Sequence, residues 1–154
     1  MDAAQAATQQ FLTFTLADEE YGLPILDVQE IIGYQKSTPI PNAPDWVRGV
    51  INIRGVVIPV IDVRAKFGMP QIEYDAMSVI IVYRVGQRVV GAAVDAVNDV
   101  LSFTDDQLQD TPEMSSEVNA DFITGLGKLE GRLVLLLDLP RLLGDEMETV
   151  ESAE

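Results

Sequence analysis

Residues 46–68 read Trp46-Val-Arg-Gly-Val-Ile-Asn-Ile-Arg-Gly-Val-Val-Ile-Pro-Val-Ile-Asp-Val-Arg-Ala-Lys-Phe-Gly68. Two apolar, β-branched runs meet at Arg54-Gly55, which predicts strands over 47–53 and 56–61 joined by a tight turn. Asp62 is placed to cap one turn of helix ending at Gly68. A weaker copy lies 76 residues further on, Phe122-Ile-Thr-Gly-Leu-Gly-Lys-Leu-Glu-Gly-Arg-Leu-Val-Leu-Leu-Leu-Asp-Leu-Pro-Arg-Leu-Leu-Gly144. The two align without a gap, with Gly49/Gly125, Gly55/Gly131, Asp62/Asp138 and Gly68/Gly144 identical. An internal repeat fixes the architecture, and each copy serves as a control for the other.

The chain around this stretch repeats too. Phe11–Leu16 and Tyr21–Pro24 form a hairpin pattern around the polar tip Ala17–Glu20, and Ile25–Ile32 follows with Ile25, Val28 and Ile32 at helical spacing. That spacing predicts a short helix stopped by Gly33. The same pattern returns at an offset of 69 residues: Met77–Arg84, a turn at Gly86-Gln87, Arg88–Val94, then Ala96–Leu101 in the short-helix position. Pro39, Pro41 and Pro44 mark a connector that cannot be a central strand. One strand–strand–short helix–strand–strand unit is therefore used twice, with an insertion in the acidic loop 104–121.

The fold class that follows is mainly β, two small antiparallel barrels with short helices. They form a single domain over residues 10–144, with halves at about 10–72 and 76–144. Each half is too small for a strong core, so the halves should bury a third apolar layer between them. Whether they exchange strands stays open at this point. Residues 1–9 and 145–154 are expected to be flexible tails.

Composition narrows function. The 154 residues carry a net charge of −15, with no Cys and no His. Thiol chemistry, disulfides, Cys-based zinc sites and any Ser-His-Asp triad are excluded, and no cofactor or metal is called for. The acidity disfavours nucleic acid and anionic membrane surfaces. The longest aliphatic run, Leu133–Leu137, is far short of a membrane span, and the N-terminus lacks the basic and apolar parts of a signal peptide, so a cytoplasmic setting is expected.

The repeat separates scaffold from candidate site. Gly55/Gly131 belongs to the turn and Asp62/Asp138 to a helix cap. Trp46 and Phe122 match in position and point to packing. Arg54 differs, because its counterpart is Glu130, so the turn does not require Arg. Residues 46–68 hold Arg48, Arg54, Arg64 and Lys66 against Asp62 alone, a net +3 on an acidic chain. Such a basic island can orient an acidic partner; it can equally pair within the chain, for example Arg54 with Glu30. Val28, Ile31 and Ile32 form an apolar stripe that reads first as core. No phosphate loop is present. The carboxylate pairs Asp105-Asp106 and Glu19-Glu20 sit in polar loops, and a buried acidic pair would be needed to support the rival reading, a small carboxylate-dependent hydrolase.

At these residues the chain resembles the CheW family of bacterial chemotaxis coupling proteins. The resemblance rests on Tyr21-Gly-x-x-Ile-x-x-Val-x-Glu-Ile31, Gly49-Val-x-Asn-x-Arg-Gly55, Pro59-Val-x-Asp-x-Arg64, Gly86-Gln-Arg-Val-Val-Gly91, Asp95-x-Val97 and Gly125-Leu-Gly127. It runs from about Gln10 to Gly144. The family implies two loose five-stranded barrels resembling SH3 domains, and no catalysis. It implies an adaptor that links the cytoplasmic tip of methyl-accepting chemoreceptors to the regulatory domain of the histidine kinase CheA, in receptor arrays at the inner membrane. Further copies of the adaptor can enter ring-like assemblies, and a coupler of a non-motility pathway would look the same. Carried over by position, the partner-binding residues are Val28, Glu30, Ile31, Gly49, Arg54, Gly55, Val79, Ile80 and Val100. The receptor tip is expected in the groove between the halves.

Overall fold

A computed structural model describes residues 8–70, 75–109 and 123–139. The elements are β1 (Thr8–Leu16), β2 (Glu19–Pro24), a 3-10 turn at Ile25–Asp27, β3 (Val28–Gly33), β4 (Val47–Ile53), β5 (Val56–Asp62) and α1 (Val63–Lys66). There follow β6 (Val79–Val85), β7 (Arg88–Val94), β8 (Ala96–Thr104), a 3-10 turn at Asp105–Gln107, β9 (Leu108–Gln109), β10 (Ile123–Leu129) and β11 (Arg132–Leu137). They make two sheets, ordered β8-β1-β2-β11-β10-β9 in the first barrel and β3-β6-β7-β5-β4 in the second.

The hairpins form where local chemistry dictates. Ala17-Asp18, Arg54-Gly55 and Glu130-Gly131 all have both central residues at positive φ, the turn whose twist matches its flanking strands. The Asn52 side chain accepts the Gly55 N–H at 2.9 Å and fixes one of them. Asp62 accepts the Ala65 N–H at 3.1 Å, so the expected cap on α1 is present. Leu139 opens a turn at the equivalent place in the second copy; Phe122, the residues after Leu139, the distal part of the acidic loop and residues 1–7 lie outside the described residues, whereas Thr8 and Gln9, expected in the N-terminal tail, are instead paired in β1 with Thr104 and Phe103.

Strand pairing crosses between the repeats. β1 and β2 complete a sheet with β8–β11, while β6 and β7 complete the sheet of β3–β5. The exchange is reciprocal to the residue. Phe14 faces Val97, and at the 69-residue offset Tyr83 faces Val28. Gly22 lies beside Leu136 just as Gly91 lies beside Val60 in the parallel contacts. The register also slips identically in the later hairpins, between Val47 and Gly49 and between Ile123 and Gly125. At both slips another segment runs close by. Gly49 stands at φ 143°, where a Cβ would overlap the Thr38 carbonyl, and a Cβ on Gly125 would come within 2.8 Å of the Gln109 carbonyl. This explains why glycine is kept in both copies.

The core has three layers. Phe11, Phe103, Val134 and Leu136 fill the first barrel, and Ile51, Ile58, Val60, Ile80, Val82 and Ala93 the second. The third lies between the barrels and is the largest, with Leu12, Phe14, Tyr21 and Leu23 from one side against Ile61, Ile81, Tyr83 and Val94 from the other. Strand alternation distributes the residues: Ile80 and Val82 face inward while Ile81 and Tyr83 face the other barrel.

Two sequence expectations are corrected. Residues 25–32 are not a helix: after the 3-10 turn at Ile25–Asp27, Val28–Gly33 is an edge strand paired to β6. Val28, Glu30 and Ile32 alternate as the half-buried set, and a register shift between Val28 and Glu30 takes up Gln29. The apolar residues fit both periods, and pairing with the doubly buried β6 selects the extended one. Residues 96–101 follow the same rule and lie in β8.

Candidate functional site

Glu30 stands opposite Val82, so its side chain points toward the end of the second barrel. There it meets Arg54 of the β4–β5 turn, which bonds it through both guanidinium nitrogens, Nη1 reaching Oε2 at 3.4 Å. Arg54 is 72% exposed, and the hydrogen bond it donates to Glu30, followed by the attraction of that carboxylate's charge, holds the guanidinium further toward its protonated form. Beside the pair, Ile31 is 42% and Val56 57% exposed, and Val57 is also exposed. These are large apolar side chains on strand positions that the cores do not use.

The first barrel carries the counterpart. Asp99 is the repeat equivalent of Glu30, and Val100, 46% exposed, is the equivalent of Ile31. The cation there is Arg132, two residues beyond the equivalent of Arg54. Its Nη1 and Nη2 lie 3.2 and 3.0 Å from Asp99, and it also bonds Glu20. Arg132 opens β11 just past the Glu130-Gly131 turn, so a carboxylate–guanidinium clasp survives although the counterpart of Arg54 is Glu130. Sequence comparison at fixed offset passed over Arg132, and Glu19-Glu20, expected in a polar loop, instead open β2; the signal was Asp99, an acid kept where Glu30 stands.

The basic island is largely internal. Arg48 reaches Asp62 at 3.3 Å, Arg64 reaches Asp95 at 2.8 Å, and the Lys66 ammonium sits 4.4 Å from the centre of the buried Trp46 ring. The field expected around Arg54 is thus spread over several pairs. The described residues also hold no group of three or more His, Cys, Asp or Glu able to bind a metal. Asp62 is a buried carboxylate, and its oxygens serve the helix cap and Arg48.

The nine candidate residues fall into distinct places. Glu30, Ile31, Arg54 and Gly55 share the end and rim of the second barrel. Val28 and Val79 are half-buried and pack on the layer between the barrels. Gly49 is buried at its register slip, and Val100 stands on the first barrel. Ile80 is fully buried inside the second barrel, so its side chain supports the site from within and offers no surface.

Ile31 faces Ile81 across the β3–β6 pair, and Val100 faces Leu12 across the β1–β8 pair. Both facing residues belong to the layer between the barrels. Exposed apolar residues thus extend that layer to the surface, each next to a carboxylate–arginine clasp. Together with the doubled barrel, this defines a scaffold for binding other proteins.

Comparison with known proteins is specific. The model of the CheW-like domain matches residues 10–147. The chain is 48% identical over 144 residues to the chemotaxis protein CheW of Klebsiella aerogenes, covering 94% of this chain and 87% of that one. It is 40% identical to the CheW protein of Rhizobium meliloti, covering 90% and 89%. The crystal structure of the scaffolding protein TtCheW from Thermoanaerobacter tengcongensis superposes with a TM-score of 0.82 at 31% identity, covering 88% and 92%. The chain belongs to the CheW-like family of chemotaxis coupling adaptors.

Proposed function

We propose that the chain couples the cytoplasmic tip of methyl-accepting chemoreceptors to the regulatory domain of the histidine kinase CheA, catalysing nothing itself. It works on the cytoplasmic side of the inner membrane and joins further copies of itself in receptor arrays. Among the described residues no helix is long and apolar enough to cross a membrane. The observation that carries the reading is the Glu30–Arg54 clasp at the second barrel end, with Val56 exposed just past the Arg54-Gly55 turn and Ile31 exposed on the other face of β3. Apolar anchors supply affinity, and the rim pair sets orientation. Val28, Gly49, Gly55 and Val79 hold that end in shape, and Val100 presents the matching anchor on the other barrel. A helical receptor tip fits the margin where the layer between the barrels reaches the surface.

The test is direct binding of the purified chain to the isolated kinase regulatory domain and to a receptor-tip fragment. Binding to both, weakened by Ile31→Asp and by Val100→Asp, supports the reading. Binding to neither refutes it.

A further inference from the structure

The repeat allows the ends of the two barrels to be compared position by position. The first barrel presents Thr13, Glu20, Asp99 and Arg132. The equivalents in the second are Val82, Val89, Glu30 and Val56. The backbone settings correspond, since Thr13 faces Gly22 as Val82 faces Gly91.

The two ends are finished differently. In the first, the Thr13 hydroxyl is fully buried, lies 2.8 Å from Asp99 Oδ1 and accepts the Asp99 N–H at 3.2 Å. Arg132 spans from β11 to β2 and β8, holding Glu20 and Asp99 with one guanidinium. Burial alone would raise the pKa of Glu20, but hydrogen bonds from Arg132, Asn98 and Thr13 hold it below its ordinary value. Arg132 and Thr13 do the same for Asp99. In the second barrel Val82 is buried, Val89 half-buried and Val56 largely exposed. Only the carboxylate is kept, and its arginine comes from the turn.

An apolar anchor entering the first end would have to separate Arg132 from two carboxylates, leaving charges without partners. At the second end the same anchor covers Val56, already largely in water, and the exposed part of Val89, and separates no charge from that apolar lining. We propose that the Arg132–Glu20–Asp99 network is a specificity element that bars the first barrel end from the apolar anchor that the second, at Val56 and Val89, accepts. The docking protein thereby finds one such end on each chain instead of two. This rests on the docking function proposed above for the second barrel end.

The test uses the whole chain. Glu20→Val with Arg132→Val installs the residues that the second copy carries at those positions. The fluorescence of anilinonaphthalene sulfonate, a dye that lights up on exposed apolar surface, is expected to rise about two-fold. Calorimetric titration with the kinase regulatory domain is expected to gain a second binding event. The reverse variant, Val56→Arg with Val89→Glu, is expected to lose dye binding and to weaken docking by more than about tenfold. A folded Glu20→Val/Arg132→Val variant that gains neither dye nor a second event overturns the proposal. So does a reverse variant that docks normally, which decides the matter if the first variant does not fold. Should the wild-type chain bind no kinase domain, the docking reading fails, while the dye comparison still reports whether the network closes an apolar end.

Discussion

Asp95→Asn should loosen the two barrels from one another. Asp95 lies between β7 and β8, where the chain passes from the second barrel to the first. Its carboxylate takes Arg64 of α1 at 2.9 and 2.8 Å and accepts the Ala17 N–H of the β1–β2 turn at 3.0 Å. The Arg64 guanidinium also reaches the Pro70 carbonyl at 3.0 Å. The side chains of Arg64 and Asp95 are only 10% and 18% exposed. The repeat equivalents are Pro140 and Leu26, so the pin exists on one side of the molecule by residue type alone. Removing one member of a fully buried ion pair costs ~3–5 kcal/mol. The residual exposure and the retained bond to Pro70 reduce this to about 2–3 kcal/mol. For a chain of this size that lowers Tm by roughly 5–10 °C. Urea unfolding followed through Trp46, the single tryptophan, reads the change. In a cycle with Arg64→Met the double variant should lose about 1–2 kcal/mol less than the sum of the singles. The pH dependence has a definite sign. Burial raises the Asp95 pKa, but the bonds from Arg64 and Ala17 outweigh it and the folded value is depressed. The contribution is therefore present above the unfolded pKa of about 3.9 and is lost as pH falls through the folded value. Wild type should lose this increment below about pH 4, and Asp95→Asn should lack that part of the slope. An Asp95→Asn variant within ~0.5 kcal/mol of wild type at neutral pH would refute the pin.

Arg54→Glu, which copies Glu130, should change urea-unfolding stability by no more than ~0.5 kcal/mol, since Arg54 is largely exposed. It should nevertheless weaken kinase-domain binding, with partial rescue by Glu30→Arg; loss of cooperative unfolding would make Arg54 structural instead. Asp62→Ala removes the α1 cap and leaves Arg48 without that carboxylate, an expected loss of about 1–2 kcal/mol by denaturant titration. Gly49→Ala forces a side chain onto the Thr38 carbonyl at an unfavourable φ, and should cost more than ~2 kcal/mol in the same measurement.

Much was legible in the chain because it is local. The turns at Arg54-Gly55 and Glu130-Gly131 and the cap at Asp62 depend on a few neighbouring residues, and all are in place. The duplication was visible as two fixed offsets, and marginal halves implied a shared apolar layer, which is present as the largest cluster. The site was legible in part: Arg54 and Glu30 were singled out and do meet. Arg132 was passed over because the arginine of the clasp stands in the strand after the turn and not in the turn itself, and a fixed offset does not search two residues away.

The sequence by itself determined the repeat, the hairpins and the apolar inventory, since these follow from side-chain period and turn chemistry. Only the tertiary structure decided that β1 pairs with β8 and β6 with β3, because strand partners are chosen by registers far apart in the chain. That choice turned residues 28–33 from an apparent helix into an edge strand. It also set Glu30 over an apolar barrel end and Asp99 over a polar one, from the same position in the same repeat.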